Sequence, residues 1–200
     1  NVLGARRCAT IAATLGVKSF TFISTDKAVN PTNVMGATRR AAERVIQAFA
    51  PTAPGTRFSL VRFGNVLGSK GSVAPLFEKQ IADGGPVTVT HPDMTRYFMS
   101  DEEASALVLQ AAALSTKSEA EDAILYVLDM GEPVRVIELA EKMIRMKGLT
   151  PGQDILIRVT GPRPGEKLTE TVFYDREQVK NTSVDGVLEV AWSRSPPIAE

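Results

Sequence analysis

Apolar and polar positions alternate between two periods along this chain. From Asn1 to Leu15 an alanine-rich stretch places Val2, Leu3, Ala9, Ile11 and Ala12 at helical spacing, and Gly16 supplies a stop, which predicts a helix. Phe20-Thr21-Phe22-Ile23 is aromatic and β-branched and predicts a buried strand, which ends in the polar run Ser24-Thr25-Asp26-Lys27. Pro31 and Asn33 announce a second helix that runs to about Ala50. Val34, Ala41, Ala42, Val45 and Phe49 form its apolar stripe, with Arg40, Glu43, Arg44 and Gln47 expected largely on the other side. A loop over Pro51–Gly55 leads to a second strand, Phe58–Phe63. Helix, strand, helix, strand is the signature of a parallel sheet covered by helices, so the fold class is α/β. The remainder predicts helices near 73–83, 101–114 and 134–147, and strands near 87–90, 124–128 and 154–159. Gly84-Gly85-Pro86 and Gly161–Gly165 read as turns, and Thr116–Asp122 as a charged linker.

Composition narrows the function classes. The chain has 200 residues, 44% of them hydrophobic, with 23 basic and 23 acidic side chains and a formal net charge of zero. A balanced charge argues against a dedicated nucleic-acid binder, which needs a basic footprint. A single cysteine, Cys8, excludes an intrachain disulfide and a cysteine-rich zinc site, and a single histidine, His91, excludes a metal site built on two imidazoles. No metal is expected. No apolar run approaches the roughly 18 residues of a membrane span, and no signal peptide opens the chain. The chain starts at Asn1 inside a helix-like stretch, which points to a piece of something longer.

Parallel α/β sheets bind ligands beyond the carboxyl ends of their strands, and two strand ends here are chemically loaded. Ser24-Thr25-Asp26-Lys27 places a hydroxyl, a carboxylate and an amine side by side. This is either an acid–base group set or a solvated ion pair in a loop approaching a helix. Phe63–Gly71 carries Gly64, Gly68 and Gly71, which suggests close backbone approach to a ligand, yet it matches neither GxGxxG nor the Walker loop. Met35 and Arg39 share a helix face that begins just after the Asp26-Lys27 loop. Arg96 among aromatics either snorkels from an apolar patch or holds a phosphate. Arg163-Pro164-Gly165-Glu166-Lys167 is a proline-stiffened loop that either presents a guanidinium and a carboxylate in fixed geometry or is a charged surface turn. His91, before Pro92, reads as structural.

The run from Ser24 through Thr25-Asp26-Lys27, Asn30-Pro31-Thr32-Asn33 and Met35-Gly36-Ala37-Thr38-Arg39 resembles the nucleotide-sugar 4,6-dehydratases of bacterial polysaccharide and protein-glycan synthesis. These are extended short-chain dehydrogenases/reductases, and the resemblance is to the UDP-N-acetylglucosamine 4,6-dehydratase group. It continues through Arg62–Ser69, Gly84–Pro92, Met94–Met99, Leu128–Val134 and Arg163–Lys167, in order along nearly the whole chain.

The resemblance implies a partial doubly wound, Rossmann-like parallel sheet lacking its N-terminal half, with a smaller α/β substrate-binding region. Residues 1–70 would be the C-terminal half of an NAD-binding domain, and 71–200 mainly the nucleotide-sugar region with segments returning to the sheet. It implies NAD, or NADP, as cofactor and a UDP-sugar as substrate, with the isolated 200 residues expected to be inactive alone. Thr25 would hold the oxygen on sugar carbon 4, Asp26 would supply the proton to the leaving hydroxyl, and Lys27 would take the proton from carbon 5. Met35 stands where most of the superfamily has its tyrosine base, and a thioether is no useful proton acceptor; Asp26 then becomes the candidate to deprotonate the carbon-4 hydroxyl. Arg39 stands where the family has lysine and can still donate to the nicotinamide ribose. Ser24, Phe63 and Gly64 fall on the cofactor side, and Asn65, Arg96, Arg163 and Glu166 on the sugar-nucleotide side. A homo-oligomer is expected through the helices near 2–15 and 33–50. Localisation is expected to be cytoplasmic, with the parent anchored to the inner membrane and this region on its cytoplasmic side. Two other readings fit the same motifs. One is a UDP-sugar epimerase, against which Met35 speaks; the other is a non-catalytic nucleotide-sugar-binding or assembly module.

Overall fold

The computed structural model describes residues 1–69, 71–118 and 120–191. In chain order the first elements are α1 (Val2–Thr14), β1 (Ser19–Ile23), α2 (Val34–Phe49), β2 (Arg57–Arg62), β3 (Asn65–Val66), α3 (Val73–Ala82) and β4 (Val87–Val89). There follow β5 (Thr95–Arg96), β6 (Phe98–Met99), α4 (Asp101–Lys117), β7 (Ile124–Leu128), β8 (Val134–Arg135) and α5 (Val136–Met146). β9 (Ile157–Val159), β10 (Gln178–Asn181) and β11 (Val187–Ala191) complete the described chain. These elements form two compact units. The first takes Asn1–Phe63, Ala104–Asp129 and the chain from Thr171; the second takes Gly64–Glu103 and Met130–Glu170.

The first unit is a five-stranded sheet in the order β1-β2-β7-β11-β10. β1, β2 and β7 run parallel, with Phe22 opposite Leu60 and Leu60 opposite Leu125. β11 returns antiparallel along β7, and β10 antiparallel along β11. Phe58, Ser59, Leu60, Val61 and Arg62 are all buried, because a central parallel strand is covered on both faces. α2 is the crossover that parallel β1 and β2 require. Ala42, Ile46 and Ala50 pack with Phe58, Leu60, Leu125 and Val127 in the core of this unit. Ala5 and Ala9 of α1 join the same core, the small side chains allowing the helix to lie close.

The second unit has three two-stranded pairings: β3 with β6 and β4 with β9 are parallel, and β5 with β8 is antiparallel. Its core is Phe77 and Ile81 of α3, Val87 and Val89 of β4, and Val136, Ala140 and Ile144 of α5, a stripe at four-residue spacing. The Gln80 amide ties α3 to β4, accepting from the Thr88 backbone N–H at 3.0 Å and donating to the Thr88 hydroxyl at 2.8 Å.

All five predicted helices and the strands at 20–23, 58–63, 87–90 and 124–128 are present, with ends shifted by a few residues. Four expectations are corrected. α4 runs to Lys117, into the predicted linker, because the Ser115 and Thr116 hydroxyls donate to the carbonyls of Ala112 and Ala113 within the helix. The strand predicted over 154–159 is confined to Ile157–Val159, because Asp154 Oδ2 accepts from the Thr150 N–H at 2.7 Å and closes a turn before it. The helix predicted from 134 starts at Val136, since Val134 and Arg135 pair with β5. Glu43, expected on the polar side of α2, is completely buried. Among the described residues no helix is long and apolar enough to cross a membrane.

Candidate active site

β1 ends at Ile23, but the chain keeps its register on β2 beyond that point. Ser24 N–H donates to the Val61 carbonyl at 2.8 Å and Asp26 N–H to the Phe63 carbonyl at 3.0 Å. Asp26–Ala28 then forms a single 3-10 turn, and Thr25 caps it by accepting from the Lys27 N–H at 3.4 Å. The Thr25 hydroxyl donates to Asp26 Oδ1 at 2.8 Å, and Lys27 Nζ donates to the same oxygen at 3.0 Å. The side chains on either side of Asp26 therefore converge on one of its carboxylate oxygens at a strand's carboxyl end. Asp26 is fully buried, and its other oxygen, Oδ2, has no hydrogen-bond partner among the described residues. The Lys27 side chain is about one-quarter exposed, at 26%.

α2 begins beside this turn. Asn33 caps it by accepting from the Gly36 N–H at 2.9 Å. Met35 is exposed on the first turn. Arg39 is half-buried, and its Nη1 donates to the Ile23 carbonyl at 3.1 Å, which brings it to the end of β1. Gly36 faces the Asp26–Ala28 turn at a distance no side chain permits: a Cβ there would run into the Lys27 carbonyl oxygen and lie 3.1 Å from Pro31 Cβ. Gly36→Ala is therefore expected to destabilise the protein by about 1–3 kcal/mol through overpacking. A thermal melt checks this, and an unchanged midpoint would show that helix and turn separate at no cost.

A buried polar network lies under the turn. Glu43 accepts from the Ser24 hydroxyl at 2.6 Å, from Arg62 Nε and Nη2 at 2.8 and 2.9 Å, and from Arg40 Nη1 at 2.8 Å. Arg62 Nη1 donates to Glu177 at 3.0 and 3.2 Å. Burial alone would raise the Glu43 carboxyl, but the Arg62 guanidinium, aided by Ser24 and Arg40, carries it below its usual range. Burial likewise opposes the charge on Arg62, and the carboxylates of Glu43 and Glu177 overcome it and raise its pKa. The Ser24 hydroxyl, expected on the cofactor side, is thus bonded to Glu43. Sequence reasoning missed this network, although Arg62 within the buried run Phe58–Phe63 was a usable signal: a cation in such a strand needs a buried acid.

The second unit holds the other candidates. Gly64 precedes β3, where a Cβ would sit 2.9 Å from Tyr97 Cβ; the Asn65 N–H donates to the Tyr97 carbonyl at 3.0 Å. The 163–166 turn closes on itself: Glu166 Oε2 accepts from the Arg163 N–H at 3.0 Å, and the Glu166 N–H donates to the Arg163 carbonyl at 2.9 Å. Arg96 is buried, donating from Nη1 to the carbonyls of Thr95 and Leu168 at 2.7 and 3.1 Å, with Nη2 3.6 Å from Glu166 Oε1. It anchors the loop from within, while Arg163 is exposed on the outside. His91 Nδ1 accepts from the Asp93 N–H at 3.1 Å and shapes its own loop. Among the described residues no cluster of His, Cys, Asp or Glu side chains is placed to hold a metal.

The chain has counterparts among known proteins. It is 55% identical over 177 residues to the capsular polysaccharide biosynthesis protein CapD of Staphylococcus aureus, an alignment covering 88% of this chain and 28% of that protein. It is 33% identical over 192 residues to the UDP-glucose 4-epimerase of Rickettsia typhi, covering 95% of this chain and 53% of that enzyme. The structure of Pen from Bacillus thuringiensis matches with a TM-score of 0.80 and 31% identity, covering 94% of this chain and 57% of that one. The dTDP-glucose 4,6-dehydratase DesIV of Streptomyces venezuelae, solved with NAD and TYD bound, matches with a TM-score of 0.70 over 86% of this chain and 56% of that one. At 18% identity it shares the fold alone. The chain thus spans between 28% and 53% of the length of these curated relatives. The family model described as polysaccharide biosynthesis protein matches residues 1–191, and the chain belongs to that family.

Proposed function

We propose that this region supplies the reacting groups of an NAD-dependent nucleotide-sugar 4,6-dehydratase, acting on UDP-N-acetylglucosamine or a similar UDP-sugar in polysaccharide or glycan biosynthesis. The observation that carries the reading is Asp26, a fully buried carboxylate with Thr25 and Lys27 on one oxygen and no partner on the other among the described residues. A buried acceptor in that state is costly unless a ligand completes it. A sugar hydroxyl is a ligand of the right chemistry.

The residues at the ends of β1 and β2 fit the nicotinamide end of NAD. Arg39 brings a guanidinium, with further N–H donors for ribose hydroxyls, to the end of β1, and Phe63 offers a half-buried apolar ring. NAD, held there, would supply reversible hydride acceptance to the sugar. Asp26 takes the proton from the carbon-4 hydroxyl and later gives it to the hydroxyl leaving carbon 6, which departs as water. Thr25 keeps a hydrogen bond on the carbon-4 oxygen. Lys27 takes the carbon-5 proton and later returns it to carbon 5. The sum is loss of one water from the sugar, with both residues regenerated. Arg163 and Glu166 hold the UDP portion, and Asn65 contacts the sugar nucleotide. The exposed apolar residues Leu3, Ile11 and Leu15 of the first helix region suit self-association.

The 33% identity to a UDP-glucose 4-epimerase keeps an epimerase as the second reading. Met35 argues against it, since no proton-accepting side chain occupies that position. Incubating the full-length enzyme with NAD and UDP-N-acetylglucosamine separates the two. Dehydration gives a product lighter by one water; epimerisation gives one of unchanged mass. In the same enzyme Arg163→Ala is expected to weaken UDP binding roughly 10- to 100-fold through loss of a charge-assisted contact. Calorimetric titration with UDP checks this, and unchanged affinity would remove Arg163 from the site.

A further inference from the structure

The Thr25–Lys27 turn is tied at both ends from beneath. Before it, the Ser24 hydroxyl donates to Glu43 at 2.6 Å. After it, the Tyr174 hydroxyl donates to the Ala28 carbonyl at 3.0 Å, across 146 residues of sequence. Tyr174 is itself held: its N–H donates to Glu177 Oε2 at 2.9 Å, and Arg62 binds the same carboxylate. The Arg40 and Arg62 guanidinium carbons lie 4.7 and 5.7 Å from the centre of its ring. A continuous bonded path therefore runs from Ser24 through Glu43, Arg62, Glu177 and Tyr174 to Ala28, closing around the turn. None of these groups moves a proton in the scheme above. A lone 3-10 turn has poor intrinsic stability, yet this one carries groups that must meet the sugar in a near-attack geometry.

We propose that Tyr174 is a positioning residue, whose hydroxyl, backed by the Glu177–Arg62–Glu43 path, fixes the turn that presents Asp26 and Lys27. The proposal rests on reading Thr25, Asp26 and Lys27 as the reacting residues. Tyr174→Phe tests it, because the ring and its guanidinium neighbours Arg40, Arg62 and Arg176 stay while the bond to Ala28 is lost. Hydrogen exchange reads the turn without reference to activity. The amides of Asp26, Ala28 and Val29, which donate to Phe63, Thr25 and Asp26 carbonyls, are expected to exchange roughly five- to tenfold faster, with β2 unchanged. In the full-length enzyme kcat is expected to fall roughly 10- to 100-fold at an unchanged KM for the UDP-sugar. Lys27→Ala is measured alongside.

Unchanged protection of the turn overturns the proposal whatever the activity. Faster exchange with wild-type kcat, while Lys27→Ala is inactive, also overturns it and leaves the active-site reading intact. Wild-type turnover by Lys27→Ala removes the active-site reading and this proposal with it.

Discussion

Lys27→Ala and Asp26→Asn are each expected to lower turnover of the full-length enzyme by about 10²- to 10⁴-fold, with UDP affinity near wild type. The size follows from the role, since a positioned acid or base contributes about 3–5 kcal/mol to the barrier. The separation of effects follows from placement. Both side chains stand at the carboxyl end of β1 and share one bonded oxygen, Asp26 Oδ1. In the proposed function the UDP contacts belong to Arg163 and Glu166, far along the chain. Asp26→Asn keeps the shape but removes the carboxylate proposed to carry the proton. Steady-state kinetics with a parallel UDP titration checks both variants. Weakened UDP affinity at wild-type saturated turnover would assign the pair to binding instead.

Arg62→Met is expected to cost about 3–5 kcal/mol of stability, because it leaves Glu43 and Glu177 without their shared cation. Arg62 and Glu43 are both fully buried, so water cannot substitute. The same pair sets an acid limit. Glu43 titrates lower in the folded protein than in the unfolded chain, where a glutamate titrates at about 4.3. Its contribution is therefore complete above about pH 4.3 and is lost as the pH falls toward the folded value. Urea unfolding of wild type, Arg62→Met and Glu43→Gln at several pH values checks this. Arg62→Met as stable as wild type at pH 7 would show that the network contributes little. Glu43→Gln is expected to lose less stability than wild type on going from pH 5 to pH 3.

What the sequence reveals follows the range of the interactions. β1, α2, β2 and β7 are legible because each is a self-contained run with its own period and its own stop. The two-residue strands β3, β5, β6 and β8 are not, since their identity lies wholly in a distant partner. β10 is exposed at all four positions and carries Gln178, Lys180 and Asn181, so no alternation marks it. The Thr25-Asp26-Lys27 run is legible as polar chemistry at a strand end. Its support is not: Glu43 reads as a polar-face residue of an amphipathic helix. Its burial depends on Arg62, 19 residues on, which in turn binds Glu177, a further 115 residues away. The sequence leaves Arg96 between snorkelling and phosphate binding, and its bonds to two backbone carbonyls give it a third use, as a loop anchor.

The strand order also has a consequence for synthesis on the ribosome. The chain passes between the two units after Phe63, Glu103, Asp129 and Glu170, so neither unit is made in one stretch. β7 is paired to β2 on one side, but its other neighbour, β11, begins only at Val187. Until that segment emerges, the nascent sheet carries an apolar open edge at Leu125–Leu128, the kind of edge that recruits foreign strands. More than fifty residues separate the two partners, so at about 5–20 residues per second the edge stays open for seconds. A chaperone that covers β7 in that interval, or a slower stretch of translation after it, would change the yield of folded protein without touching any group that does chemistry.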